Sequence, residues 1–239
     1  MLFIQNNNIN PYFNLALEEY FLKEFQEDCF MLWQNEPCVV VGKHQCALAE
    51  INEEYVKQKN IKVARRLSGG GAVFHDMGNL NFTFIINDYQ KSLCDYRKFT
   101  TSIVEVLAKL DVKADFSERN DLIIDGLKFS GNAQYKHKNR LLHHGTILFS
   151  SSLKDVKHAL TPDNNKSGRW IRSVSSPVTN VQDYLSGVIT IEKLKTIIQT
   201  HIASKRKDCV IYELSSTDIE KITKLSQEKY ASNEWIYKI

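Results

Sequence analysis

Long apolar runs are missing from this 239-residue sequence. No stretch approaches the ~18 consecutive apolar residues of a membrane-crossing helix, so none is expected. The first ten residues lack a basic segment followed by an apolar run, which speaks against a secretory signal. Charge of one sign is also missing. The 31 basic and 28 acidic residues leave a net charge of +3, too little for a strongly basic nucleic-acid binder. Cysteines are few: Cys29, Cys38, Cys46, Cys94 and Cys209. Their number is odd, their spacing wide, and no Cys-x-x-Cys occurs, which argues against a disulfide framework and a structural zinc site. Reduced thiols in a cytoplasmic protein are expected. Four prolines and ten glycines leave little material for a linker, and no repeat or low-complexity block appears. One domain over 1–239 is expected. The remaining composition, 43% hydrophobic and 25% charged, is that of an ordinary globular protein and not of collagen or a disordered chain.

The pattern along the chain alternates strands and helices. Asn10-Pro11 marks a helix start carrying Leu15, Leu17, Phe21 and Phe25 on one face, with Glu18 and Glu19 beside it. Strands are expected over 29–33, 38–41 and 61–64, with a short helix capped by Asn52 between the last two. Leu80, Phe82, Phe84 and Ile86 alternate on one side of a strand over 80–86. A helix over 96–110 precedes a hairpin around Asp125-Gly126, a tight-turn pair. A strand over 141–149, helices over 153–160, 191–203 and 218–230, and a strand over 209–214 follow. Thr217-Asp218-Ile219-Glu220 fits a capping box for the last helix. This mixture predicts an α+β (mixed α/β) domain.

Three clusters carry chemistry. Arg65-Arg66-Leu67-Ser68-Gly69-Gly70-Gly71-Ala72-Val73-Phe74-His75-Asp76 places three consecutive glycines after a strand. Glycine lets the backbone approach a ligand closely, and successive N–H groups in such a loop make an anion-binding nest. Arg66 adds a charged fork suited to phosphate or carboxylate. The loop is neither a Walker motif nor a dinucleotide fingerprint. The second cluster joins Asn120-Asp121 to Gly126-Leu127-Lys128-Phe129-Ser130-Gly131-Asn132-Ala133-Gln134, where Lys128 offers a point charge beside small residues. The third is His143-His144-Gly145-Thr146. Adjacent histidines in a strand point to opposite faces, so they do not share one metal.

Taken together these clusters resemble the lipoate–protein ligase A family. The match runs through Gly78-Asn79-Leu80-Asn81-Phe82-Thr83-Phe84 and includes Asn14-Leu15-Ala16-Leu17-Glu18-Glu19, Val41-Gly42-Lys43-His44-Gln45, Ser173-Val174 and Val178-Thr179-Asn180. It covers nearly the whole chain. The resemblance implies the catalytic domain shared with biotin ligases, a mixed sheet flanked by helices. It implies activation of lipoate by ATP and Mg2+ to lipoyl-AMP with release of pyrophosphate, then transfer of the lipoyl group to one lysine of an acceptor. Acceptors implied are lipoyl domains of 2-oxoacid dehydrogenase E2 subunits and the glycine-cleavage H protein, with no nucleic-acid or membrane partner. By the same resemblance Lys128 is the catalytic lysine touching both ATP and the lipoyl carbonyl. The nucleotide and adenylate side is assigned to Arg66, Ser68, Gly70, Gly71, Ala72, Val73, Phe74, Asn79, Asn120, Asp121, Gly131 and Ala133. The lipoate pocket is assigned to Trp33, Leu67, His75 and His144, with Phe82 a further candidate. Magnesium is carried by ATP, with Asp121 the one candidate ligand.

Related octanoyltransferases and lipoyl amidotransferases use an acyl-thioester cysteine shortly before the lysine motif. Here 112–125 contains none and carries Arg119-Asn120-Asp121-Leu122 instead, which argues against that route. Many ligases of the family also carry a small C-terminal domain, and this sequence stops near where their large domain ends. The expectation is a chain without that domain, served by a separate accessory protein, active alone, or limited to transfer from preformed lipoyl-AMP or an octanoyl donor. A noncatalytic binding module and a biotin ligase are the other readings; intact Arg66, Gly71 and Lys128 disfavour the first, and the paired lysine and histidine motifs the second. The stretch 161–176 is expected to order over the adenylate.

Overall fold

Asn10 begins the first helix as expected. Its side chain accepts from the Tyr12 N–H, and Pro11 occupies the first helical position, where a missing N–H breaks no intrahelical bond. The computed structural model describes residues 1–87, 89–162, 168–206 and 208–238. Its order opens with β1 (Leu2–Gln5), α1 (Pro11–Glu24), β2 (Cys29–Trp33), β3 (Cys38–Val41), α2 (Glu53–Gln58), β4 (Lys62–Arg65), β5 (Val73–His75) and β6 (Asn79–Ile86). It continues with α3 (Tyr89–Ser92), α4 (Tyr96–Ala108), β7 (Asp115–Phe116), β8 (Leu122–Ile124), β9 (Leu127–Ser130), β10 (Asn132–His137) and β11 (Arg140–Leu148). It ends with α5 (Leu153–Ala159), α6 (Ile191–Ser204), β12 (Val210–Glu213), α7 (Ser216–Leu225) and α8 (Asn233–Ile236).

The large sheet runs β10-β11-β6-β2-β1-β12. Its first four strands pair antiparallel, and β2, β1 and β12 pair parallel, so the sheet is mixed. Two small sheets lie beside it, β4-β3-β5 and β7-β8-β9. Helices cover both faces of the large sheet. On one, Phe30, Phe82, Phe84 and Ile147 pack with Phe99 and Ile103 of α4 and Ile198 of α6. On the other, Met31, Trp33 and Ile85 pack with Leu15, Leu17 and Phe21 of α1 and with Tyr230. A third core joins Val39, Val41, Val63 and Phe74 of the β3 sheet to Val56 of α2 and Ala159 of α5.

β6 shows how this architecture makes a site. All eight of its residues are buried. The alternation that puts Leu80, Phe82, Phe84 and Ile86 in one core puts Asn79, Asn81 and Thr83 on the opposite face. Buried polar residues on the inner strand of a sheet need partners, and that face looks toward α1 and the glycine loop. Phe82, fully buried, is the anchor of the apolar side. Phe82→Ala is expected to destabilise the fold by ~3–5 kcal/mol, measured by chemical denaturation.

Three features differ from the sequence expectation. The capping box lies two residues earlier: the Ser215 hydroxyl accepts from the Asp218 N–H while the Asp218 carboxylate accepts from the Ser215 N–H. Asp218 is fixed there because Tyr20 and Tyr212 also donate to it. The helix expected over 218–230 starts at Ser216 and widens into a π turn over Ser226–Tyr230. The short strands β1, β5, β7 and β10 were not separable by pattern, being two to six residues long. The Asp125-Gly126 hairpin is present, with positive φ at both residues (50° and 78°) as a type I′ turn requires.

Candidate active site

That hairpin presents Lys128. Its Nζ lies 2.9 Å from Asp121 Oδ1, and Gly131 leaves the room: a Cβ there would sit 3.1 Å from both Nζ and Cε of Lys128. The lysine's backbone is stitched to the segment carrying Val178 and Thr179. Its N–H donates to the Pro177 carbonyl, and its own carbonyl accepts from the Thr179 N–H. Lys128 is thus held at both ends, as a positioned charge must be.

The glycine loop faces it. Arg66 arises at the end of β4 and turns its guanidinium under the loop. Nη2 donates to the Gly69 and Gly71 carbonyls at 2.7 Å each, Nη1 to the Val40 carbonyl at 2.9 Å, and Nε to Ser68 Oγ at 3.0 Å. Three of these four bonds therefore shape the loop, and the fourth ties the guanidinium to β3. Gly70 and Gly71 of the loop so held lie on the cavity wall. Burial lowers the Arg66 pKa to about 10, with Glu18 acting in the opposite direction, so the guanidinium stays charged at neutral pH. Gly42 supports the loop from below, where a Cβ would meet the Gly70 carbonyl oxygen at 2.2 Å.

A directed chain of hydrogen bonds ties this loop to α1. Arg66 Nε–H donates to Ser68 Oγ, Ser68 lies 2.7 Å from His144 Nε2, and His144 Nδ1 lies 3.0 Å from Glu18 Oε1. Glu18 also accepts from Thr83 Oγ1 at 2.6 Å, which in turn accepts from Trp33 Nε1 at 2.9 Å. Glu18 accepts from Thr83 and from His144 Nδ1, and His144 Nε2 shares the second bond with the Ser68 hydroxyl. A buried carboxyl group and a buried guanidinium are thereby linked through an imidazole and a hydroxyl. Ser68 is fully buried and occupied at both ends, so it is a linker and not a nucleophile.

These groups surround a cavity of about 350 Å³. Of the residues expected at the site, Trp33, Arg66, Gly70, Gly71, Ala72, Val73, His75, Asp121, Lys128, Gly131, Ala133 and His144 line it. Ser68 stands behind the wall. Leu67 and Phe82 belong to the two cores flanking the large sheet, and Phe74 to the third core, because strand alternation turns it away from Val73 and His75. Asn79 is buried and donates to Asn81 Oδ1, so Asn81 takes the wall position. Asn120, at φ 65°, contributes its carbonyl to Asn132 Nδ2. His143 faces away from the cavity, stacked on Phe99 and Phe82 at 4.4 and 6.0 Å.

Sequence reasoning did not assign Asn81, Asn132, Thr146 or Ser173 to this wall. Ser173 Oγ accepts from the Ala72 N–H at 2.8 Å and from Gln45 Nε2 at 3.0 Å, and its own N–H donates to Glu50. It brings Ile171, Arg172 and Val174 across the glycine loop. Of the stretch expected to order over an adenylate, 163–167 lie outside the described residues, and 171–174 lie on the cavity. Among the described residues no three His, Cys, Asp or Glu side chains gather as a metal-binding group. Asp121, held by Lys128, is the acidic side chain on the cavity wall.

Residues 10–203 match the model of the lipoyl protein ligase A/B catalytic domain. Lipoate–protein ligase 1 of Staphylococcus aureus is 43% identical over 241 residues, covering 99% of this chain and 73% of that protein. The structure of LipL1 of P. falciparum in complex with lipoate aligns with a TM-score of 0.84 at 27% identity, covering 100% of this chain and 74% of that one. The bi-partite lipoate protein ligase of Thermoplasma acidophilum aligns at 0.85 and 25% identity, covering 99% and 95%. With its glycine loop, lysine hairpin and mixed sheet, this chain belongs to the family of the lipoyl protein ligase A/B catalytic domain, an enzyme family of ligases.

Proposed function

We propose that this protein activates lipoate with ATP and then passes the lipoyl group to a lysine of an acceptor lipoyl domain. The observation that carries the reading is the meeting of three chemistries in one cavity: a glycine loop, a positioned lysine and an apolar wall of Leu15, Trp33 and Val40. In the first step a carboxylate oxygen of lipoate attacks the α-phosphorus, and the bond to the β-phosphate breaks to release pyrophosphate. Two anions approach, so cationic and N–H donors are needed where charge grows. Lys128 faces the reacting groups, and the loop that Arg66 shapes supplies N–H groups. In the second step the acceptor amine attacks the acyl carbon, AMP leaves, and Lys128 stabilises the charge on the carbonyl oxygen. A magnesium ion brought in with ATP would have Asp121 as its candidate protein ligand and would neutralise phosphate charge.

Lipoyl domains of 2-oxoacid dehydrogenase E2 subunits and the glycine-cleavage H protein are the acceptors we infer. We take 1–239 as one catalytic unit. Among the described residues no helix is long and apolar enough to cross a membrane, and the cysteines are free thiols. The free thiols support our reading of a cytoplasmic enzyme. A separate accessory polypeptide remains the second reading, favoured by the likeness to the bi-partite archaeal ligase. The test is mass spectrometry of a purified lipoyl domain incubated with the protein, lipoate and Mg-ATP. Addition of one lipoyl group at one lysine is expected; an unmodified acceptor, with or without a supplied accessory protein, contradicts the proposal.

A further inference from the structure

Lys128 lies between two hollows. The cavity of the glycine loop is one. The other is a groove of about 270 Å³ on the same hairpin. Arg119, Asp121, Lys128 and Ser176 line both, so the two hollows meet at the lysine.

Strand pairing explains the groove. Ile123 of β8 sits opposite Lys128 of β9, and residues opposite each other in a ladder project on one face. Leu122 and Ile124 turn the other way, into the core that holds Phe82. Ile123 is left half-buried on the groove. Pro177, whose carbonyl accepts the Lys128 N–H, adds a second apolar surface. At the turn Gly126 is exposed, and a Cβ there would meet nothing within 4 Å, so this rim is open to an approaching chain.

The two hollows differ in charge. Among the described residues, the charged side chains confined to the cavity are Arg66 and Arg172, and the one confined to the groove is Glu118. Cations suit the carboxylate and phosphates that react in the first step. A carboxylate beside an apolar trough suits an ammonium on an alkyl stem, which is the side chain of lysine. Size points the same way. The adenylate fills the cavity, and a folded acceptor cannot enter it. Only a side chain reaches the acyl carbon, which lies close to Lys128 when that lysine bonds the carbonyl oxygen. The groove brings a side chain to this point without displacing the adenylate.

We propose that this groove is the docking site of the acceptor. A protein segment presenting a lysine lays the alkyl stem over Ile123 and Pro177, and its ammonium passes Glu118 on the way to Lys128. The nitrogen bonds to the acyl carbon, the carbon–oxygen bond to AMP breaks with its electron pair going to the phosphate, and the two protons given up by the ammonium pass to solvent. The inference rests on the ligase reading above and adds to it the surface on which the acceptor sits.

Three assays separate the hollows. Pyrophosphate release from lipoate and Mg-ATP reads the cavity alone. Transfer from bound lipoyl-AMP to a purified E2 lipoyl domain reads both. Capture of the same adenylate by hydroxylamine, a small uncharged amine, reads the chemistry without docking. Glu118→Lys should raise the KM for the lipoyl domain about tenfold and change its salt dependence, since repulsion replaces attraction at the rim. Pyrophosphate release and hydroxylamine capture should stay unchanged. Glu118→Gln should give a smaller rise of the same kind. An unchanged KM for the lipoyl domain in Glu118→Lys, or an equal loss in pyrophosphate release, overturns the proposal. Should the variants misfold, hydrogen exchange of the wild type decides, with a lipoyl domain whose target lysine is changed to methionine. Protection over 117–126 supports the proposal; protection elsewhere alone, or none at a saturating concentration, overturns it. A folded wild type that neither forms the adenylate nor modifies the domain refutes the ligase reading, and this inference with it. An active wild type that fails these tests refutes this inference alone.

Discussion

Lys128→Ala is expected to lower lipoyl transfer by ~10²–10³-fold while leaving the fold intact, since one preorganised charge on a reacting oxygen has about that effect. The structure explains why the loss should be catalytic. Lys128 is partly exposed, its side chain contacts Asp121 and approaches Gly131, and its removal opens no apolar core. The backbone bonds to Pro177 and Thr179 survive any side-chain change. Lys128→Arg should also be poor. A planar fork does not fit where Gly131 clears room for a compact ammonium, and its donors point in fixed directions. Circular dichroism and denaturation check the fold, and single-turnover transfer from preformed lipoyl-AMP isolates the second step. Near-wild-type turnover in Lys128→Ala would remove the lysine from the mechanism.

Arg66→Ala is expected to have the second large effect, and a different kind. Its guanidinium holds the Val40, Gly69 and Gly71 carbonyls and Ser68 Oγ. Alanine leaves these acceptors unpaired in a buried place and removes the cation at the far end of the chain from Glu18. Breaking a buried charge arrangement costs ~3–5 kcal/mol. Both stability and the KM for ATP should suffer, the latter because the loop loses the bonds that set its shape. Arg66→Lys should rescue little, since one ammonium cannot reach four acceptors spread over the loop and β3. A folded Arg66→Ala variant with an unchanged KM for ATP would contradict this assignment.

How much of this was legible in sequence depends on distance along the chain. The Lys128 hairpin was legible because its signals are local: Asp125-Gly126 specifies the turn, and small residues flank the lysine. The glycine loop was legible for the same reason. Phe74 shows the limit of reading a motif as a block, since a strand of three residues sends Val73 and His75 one way and Phe74 the other. Glu18 was visible beside a helical face and within a matching motif, with no role attached. Its partners Thr83 and His144 are 65 and 126 residues away, and only the sheet order β11-β6-β2 under α1 brings them together. Asn81 had a signal that went unused: a polar residue on a strand whose apolar alternation is strong enough for an inner position. Ser173, 101 residues from Ala72, was marked only by the motif match and by its place in the stretch 161–176, neither of which names its partner.

The measurement that tests the account most directly omits the acceptor. The purified protein is incubated with lipoate and Mg-ATP, and pyrophosphate and bound lipoyl-AMP are followed by mass spectrometry. The account predicts both products, with neither formed when lipoate is withheld. Absence of the adenylate from a folded protein, even when accessory protein is supplied, would contradict it.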